Sequence, residues 1–388
     1  MALVMLLVRG AVAEPPPAAE PLTARGYDQR VQDGIDLIYR LRFAEADAHF
    51  ARFMAAEPDN PLGYFFYAMV DWWRVLVDLE DHSHDEAFYR RVARCIEVCD
   101  RRLEAEPDNF DAILFKGGAI GFRGRLRGDR AQYLGAAHDG LACLPLLKRS
   151  RLMEPTNKDI LFGQGIYNYF RVVIPQRYPV VQAVTWMLEA GDRDLGLRQL
   201  EEVAREGQYA RAEALYFLAQ IHRLFENDPG TALRYLEQLH ERYPENALFH
   251  RYRARALVDL GRWDQGMALY RDAIRRAEQG QPGYHLRGHI ESLYYVGKGA
   301  FMRGRYAEVV EVMSAADRLS AGLEGDAEAR NLRGYVPLAK LYLGMALDAL
   351  GRRAEARAQY ARVLDLPRFG SSHNLARKYL EQAYQPPG

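Results

Sequence analysis

Apolar residues recur along most of the chain at helical spacing, and one arrangement repeats in register: a small residue followed four positions later by a large one. Residues four apart lie on one face of a helix, so each pair marks a single contact stripe. Two antiparallel helices approach closely only where side chains are small, and the larger neighbour fills the adjacent gap. The pattern therefore predicts eight helix pairs. The marker residues are Ala46/Phe50, Cys95/Cys99, Cys143/Leu147, Gly196/Leu200, Ala232/Leu236, Gly266/Tyr270, Val309/Met313 and Ala356/Tyr360.

Proline-containing turns separate several of these pairs. The stretches AAEPDN, EAEPDN, MEPTN and RYPEN each place a proline twelve residues after the small marker residue. Glycine in a turn accepts the left-handed conformation that ends a helix, and Gly261, Gly304 and Gly351 stand at such positions. The predicted units are 27–60, 61–109, 110–156, 157–208, 209–245, 246–281, 282–326 and 327–370, several of them elongated or carrying insertions, followed by a capping helix at 371–384.

Repeated helix–turn–helix units with this small/large/proline signature resemble the tetratricopeptide repeat (TPR) family. The resemblance covers about residues 27–384 and implies an all-α, right-handed superhelical solenoid of about eight repeats. More narrowly, GFRGRL (121–126), GQGIYNYFRVVIP (163–175), the stretch 191–221 and DLPRFGSSH (365–373) look like bacterial relatives of the tetratricopeptide repeat protein 39 and inclusion-body clearance family. Neither resemblance implies catalytic residues.

The first residues have the pattern of an export signal. A short apolar run, Ala2–Val8, precedes the small residues Ala11 and Ala13, and a Pro/Ala-rich stretch follows. We expect a signal peptide at 1–13, a linker at 14–26, and a periplasmic or cell-envelope location. A cytoplasmic location stays open because no Lys or Arg precedes the run. Seven apolar residues are too few for a membrane span, and we expect no integral span elsewhere.

Charge and motifs narrow the function. The 52 basic residues balance 52 acidic ones, which argues against general nucleic-acid binding. The sequence contains no HExxH, GxSxG or nucleotide-binding loop, so we expect no enzyme activity and no cofactor. Cys95, Cys99 and Cys143 occupy marker positions and are interpreted as core residues.

Two alternatives to a pure binding scaffold remain at this stage. Asp81, His82, His84 and Asp85 lie in one acidic loop, and imidazoles with carboxylates can bind a divalent metal. The first alternative is therefore a metal-binding or metal-dependent protein. The second is a structural solenoid that self-associates.

The leading prediction is a non-catalytic scaffold for protein–protein interaction. First helices of stacked pairs line the concave side of a solenoid, where a partner protein or peptide segment binds. Arginines there would orient a carboxylate-bearing partner. The register predicts these groove residues: Ile35, Tyr39, Arg251, Arg255, Tyr294, Lys298, Leu341 and Met345.

Overall fold

The computed structural model describes residues 29–177, 189–323 and 332–386. The predicted signal peptide and linker lie outside these residues. Within them the chain forms seventeen α-helices and no β-strand. The helices are α1 Gln29–Tyr39, α2 Phe43–Ala56, α3 Pro61–Val77, α4 Asp85–Ala105, α5 Phe110–Asp129, α6 Tyr133–Met153, α7 Ile160–Arg177, α8 Arg193–Glu206, α9 Arg211–Leu224, α10 Pro229–Arg242, α11 Ala247–Asp259, α12 Trp263–Glu278, α13 Leu286–Phe301, α14 Tyr306–Ser320, α15 Tyr335–Ala349, α16 Arg353–Leu364 and α17 Ser372–Glu381.

Neighbouring helices pack in chain order, as in a solenoid. Each α-helix in the described residues contacts the next one, and first helices also contact the first helix of the following pair, as α1 does α3 and α13 does α15. This arrangement of stacked helix pairs confirms the predicted fold class. No described helix combines the length and the apolar character needed to span a bilayer.

Asparagines in the turns start three of the first helices. The side-chain oxygen of Asn60 accepts a hydrogen bond from Leu62 N at 3.1 Å, and that of Asn246 accepts one from Leu248 N at 3.0 Å. Asn109 caps α5 in the same way. Each cap satisfies a backbone N–H that the first helical turn leaves without an intrahelical partner. The PDN and PEN turns therefore fix where α3, α5 and α11 begin.

The small/large markers lie at helix contacts for most pairs. A Cβ added to Gly297 would stand 2.5 Å from Met313 Cε, and one added to Gly344 would stand 2.5 Å from Tyr360 Cε1. Cys95 and Cys99 are fully buried, as expected for core residues. Cys143 differs because it is only half-buried. Helix α6 buries few of its side chains. Leu147, the large marker of this pair, packs beside Gly163 of α7.

The solenoid closes on itself. The ring of Tyr39, at the end of α1, stacks on that of Tyr243 with centroids 5.1 Å apart, and Asn246 Nδ2 donates to Tyr39 O at 2.7 Å. At the end of α3, Asp78 lies 3.2 Å from His285 Nδ1, just before α13. Units one and two are thus packed against units five to seven, although more than 200 residues separate them in the chain.

One carboxylate lies at the centre of this closure. Glu213 of α9 is 6% exposed and accepts hydrogen bonds from Tyr39 Oη at 2.9 Å, Trp73 Nε1 at 3.2 Å and Trp72 Nε1 at 3.4 Å. Burial raises the pKa of Glu213, while these three donors and Arg125 act in the opposite direction. The three donors come from α1 and α3, so Glu213 connects the first two units to the fifth.

Candidate partner-binding face

The structure places five of the eight predicted groove residues in the core. Ile35 and Tyr39 are 2% and 5% exposed, and the ring of Tyr39 is covered by Tyr243 across the closure of the solenoid. Tyr294, Leu341 and Met345 are buried in a hydrophobic cluster of the C-terminal units, where α13 and α15 pack together. None of these five side chains offers an open contact surface in this conformation. Their prediction as groove residues is corrected accordingly.

Arg251, Arg255 and Lys298 are brought together on α11 and α13. Arg255 Nε donates to Asp259 Oδ1 at 2.9 Å, and Arg255 Nη1 donates to Tyr335 Oη at 3.2 Å, yet 31% of its side chain is exposed. Arg251 is more enclosed, with Nε 3.6 Å from a Glu291 carboxylate oxygen. Of the predicted groove residues, these three are the ones with solvent access.

Cations on four first helices each lie over an aromatic ring. The distances from the cationic group to the ring centroid are 4.6–5.6 Å, within the range of a cation–π contact. We call Arg125, Arg223, Arg255 and Lys298 the cation track. The pairs are Arg125 over Phe217, Arg223 over Tyr252, Arg255 over Tyr295, and Lys298 over Trp263.

The cation track is continuous across α5, α9, α11 and α13. The rings of Tyr216 and Tyr252 stack with centroids 6.5 Å apart, which joins the α9 and α11 positions. Lys298 is close enough to Arg255 for the two charges to repel. Arg125 and Arg223 are not among the groove residues predicted from the sequence. A signal for Arg125 did exist: like Arg255 and Lys298, it directly follows a small residue of a first helix.

The charges of the cation track are only partly compensated. Arg125 and Arg255 pair with Asp129 and Asp259 of their own helices. Arg223 instead donates to the neutral Gln220 at 2.8 Å, and neither it nor Lys298 has an ion-pair partner among the residues that the structure describes. Burial, and secondly the charge of Arg255, lowers the pKa of Lys298. A bound anion would relieve that repulsion.

The acidic loop that the sequence offers as a metal site, residues 81–85, is held by contacts within the protein. Both carboxylate oxygens of Asp85 accept from Arg130, at 2.6 and 2.9 Å, and Asp81 accepts from the Ser83 backbone N at 2.9 Å. His82 is exposed and His84 is half-buried at the start of α4. The described residues contain no group of three metal-capable side chains here or elsewhere. These contacts give no support to a metal site.

Comparison with known proteins gives one family match and several similar solved structures. Residues 224–290 match the tetratricopeptide repeat family model. Solved structures with similarity include a human IFIT1 dimer with PPP-AAAA (14% identity, 84% of this chain and 69% of that chain, TM-score 0.44) and yeast Tom70 (11% identity, 89% and 86%, TM-score 0.37). Another is the P58(IPK) TPR domain (14% identity, 92% and 96%, TM-score 0.24). No curated protein matches the sequence.

Stacked helix pairs of this kind define an α-solenoid. The family match at 224–290, which spans α10 to α12, shows tetratricopeptide-type repeats in that part of the solenoid, and such stacked repeats are typical of protein-interaction scaffolds.

Proposed function

We propose that the chain is a non-catalytic scaffold that binds an acidic segment of a partner protein along the cation track. The observation that carries the proposal is the row of half-buried cations over aromatic rings, two of which have no carboxylate partner among the described residues. Partly desolvated cations form stronger charge-assisted hydrogen bonds with carboxylates than fully solvated ones do. The rings supply apolar contact area beside each charge.

Direct titration tests this proposal. Fluorescein-labelled 15-residue peptides with alternating Glu and Leu are titrated with the protein, and fluorescence anisotropy reports binding. The matched control peptide carries Gln in place of Glu. We expect the acidic peptide to bind and the Gln peptide to bind far more weakly, with affinity falling as salt rises. Equal binding of both peptides, or no binding of either, would contradict the proposal.

Charge reversal locates the site. Arg255→Glu combined with Lys298→Glu removes two cations, each worth about 1.5–3 kcal/mol in a charge-assisted hydrogen bond. Since about 1.4 kcal/mol corresponds to a tenfold change, affinity should fall at least tenfold. Arg262→Glu is the control, because Arg262 is exposed in a turn and its guanidinium bonds only Gln265 among the described residues. The Arg255→Ala/Lys298→Ala variant shows whether loss of charge suffices, and circular dichroism verifies folding.

A single-stranded oligonucleotide of equal charge completes the design. Aromatic rings alternating with cations also suit stacked bases, so this probe separates protein recognition from nucleic-acid recognition. We expect weaker binding of the oligonucleotide than of the acidic peptide. The reverse order would contradict a protein partner.

We also propose that the protein is exported to the periplasm or cell envelope. The apolar run Ala2–Val8 and the small residues before Glu14 support this. Fractionation of native cells followed by mass spectrometry of the mature chain tests it. We expect a chain that begins at Glu14; an intact N-terminus in the cytoplasmic fraction would contradict export.

A narrower family relationship is a further part of the proposal. The stretches 121–126, 163–175, 191–221 and 365–373 support a relation to the tetratricopeptide repeat protein 39 and inclusion-body clearance family. In that case these stretches should align with members of that family without gaps, whereas the turns between them should not. Alignment restricted to the generic repeat positions would contradict the relationship.

A further inference from the structure

Helix α6 exposes an unusual amount of apolar surface. Leu134 and Leu152 are 82% and 83% exposed, Tyr133 is 61% exposed and Leu141 is 46% exposed. Of its 21 residues, the helix buries only Asp139 and Ser150. Isolated exposed leucines are common on protein surfaces, but several on one helix mark an interaction surface.

These side chains form a single line along the helix. At about 100° per residue, Leu134, Leu141, Pro145 and Leu152 fall within roughly 20° of one direction. Pro145 is exposed as well. Leu134 and Leu152 are 18 residues apart, which is about 27 Å at the helical rise of 1.5 Å per residue. We call these four residues the α6 stripe.

The α6 stripe is symmetric about its own midpoint. Leu134 and Leu152 each lie nine residues from position 143 (143 − 134 and 152 − 143), and Leu141 and Pro145 each lie two residues from it. An interface between two identical copies related by a twofold axis must be complementary to itself. Antiparallel pairing of two such helices places Leu134 of one copy against Leu152 of the other, and Leu141 against Pro145.

The surface beside Leu134 can receive the opposing leucine. An open depression of about 510 Å³ is lined by Arg127, Tyr133, Leu134 and His138, among others. In the antiparallel arrangement, the second copy's Leu152 lies over this depression, and the twofold axis repeats the contact at the other end. A leucine seated beside a tyrosine and an aliphatic arginine stem buries apolar surface on both copies.

We propose that two copies of this chain associate through antiparallel packing of their α6 helices, with Leu134 of each copy against Leu152 of the other. This dimer is separate from the cation track, which involves α5, α9, α11 and α13. Loss of the dimer therefore leaves acidic-peptide binding unchanged, and the two proposals fail independently.

Sedimentation velocity from about 1 to 100 µM, the range in which small interfaces associate, tests the proposal. We expect the dimer fraction to rise with concentration for the natural sequence. The double variant Leu134→Glu/Leu152→Glu should remain monomeric, because like charges would then meet at both ends of the stripe. Leu350→Glu, at a residue 44% exposed in the turn after α15, should dimerise normally. Circular dichroism confirms that each variant is folded.

Cross-linking tests the antiparallel register. Two single variants, Leu134→Cys and Leu152→Cys, are prepared in a Cys143→Ala background, mixed and oxidised with copper phenanthroline. We expect the mixture to yield a cross-linked dimer of one copy of each variant, whereas Leu134→Cys alone yields little. A natural sequence that stays monomeric up to 100 µM, a dimer that persists in Leu134→Glu/Leu152→Glu, or efficient self-cross-linking of Leu134→Cys would each overturn the proposal.

Discussion

Replacement of Glu213 by alanine should open the closed interior of the solenoid. The Glu213 carboxylate accepts from Tyr39, Trp72 and Trp73, which belong to the first two units. Alanine removes both acceptor oxygens and leaves three buried donors without a partner. The units that meet at Glu213 lie far apart in sequence. The variant should therefore weaken the packing between these units and leave the packing within each helix pair unchanged.

The magnitude follows from two opposing effects. Each buried donor left without an acceptor costs roughly 1–3 kcal/mol, and the Trp72 contact at 3.4 Å is the weakest of the three, so the gross loss is about 3–6 kcal/mol. Burial raises the pKa of Glu213, so its stabilising effect is fully present below the unfolded-state pKa and is lost as pH rises through the folded-state pKa. At pH 7 the natural protein bears this ionisation cost and the alanine variant does not. We therefore expect a net loss at pH 7 that is smaller than this gross loss.

Urea unfolding followed by tryptophan fluorescence measures this loss, since Trp72 and Trp73 both contact Glu213. Hydrogen–deuterium exchange then locates it. Exchange should accelerate in α1 and α3 and stay unchanged in α16, because helix pairs distant from the closure depend on their own neighbours.

The Glu213→Gln variant is the matched control. Its amide keeps one acceptor oxygen and removes the ionisable group, so its loss of stability should be smaller than that of Glu213→Ala. An unchanged urea midpoint for Glu213→Ala, or equal acceleration of exchange in α1 and α16, would refute the role of Glu213 in closure.

Two further predictions concern tight contacts and pH. Gly344→Ala should lower the free energy of unfolding by about 1–3 kcal/mol, because the new methyl group meets the buried ring of Tyr360, whose hydroxyl is hydrogen-bonded to Asp348. Gly297→Ala should cost less, because its methyl group meets only the flexible side chain of Met313. Equal thermal midpoints for the two variants would contradict this. Burial and, secondly, the charge of Arg251 lower the pKa of His285 to about 3. Stability should therefore fall as pH drops below about 6.5, by at most about 1.4 kcal/mol per pH unit. His285→Gln should reduce this pH dependence in urea midpoints measured at pH 5 and 7.

Local spacing was enough to predict the fold because its determinants are local. A small residue, a large one four positions on, and an asparagine cap are contacts within one helix pair, and they recur wherever the sequence repeats them. Cys143 is the exception. It stands at a marker position, but α6 buries few of its side chains, and no local spacing indicates that difference.

The binding face was harder to predict because closure depends on contacts between distant units. Tyr39 has the register of a groove residue, yet it contacts Tyr243 and Asn246, whose approach no local pattern encodes. Arg255 and Lys298 were predicted and retain access to solvent. The same register that selects a groove position cannot tell whether another unit already occupies the space in front of it.

Helix α9 connects closure with the proposed binding face. One face of it carries Glu213 and, one turn further on, Phe217, which lies under Arg125 of α5. A ligand bound along the cation track would therefore favour the closed state, and closure would in turn favour the ligand. The size of this coupling depends on the free-energy difference between the closed and the open state. If closure remains favourable by more than about 1.4 kcal/mol in Glu213→Ala, over nine-tenths of the molecules stay closed and the peptide affinity barely changes. The coupling should then appear only in moderate urea, where the acidic peptide should restore slow exchange in α1 although it does not contact that helix.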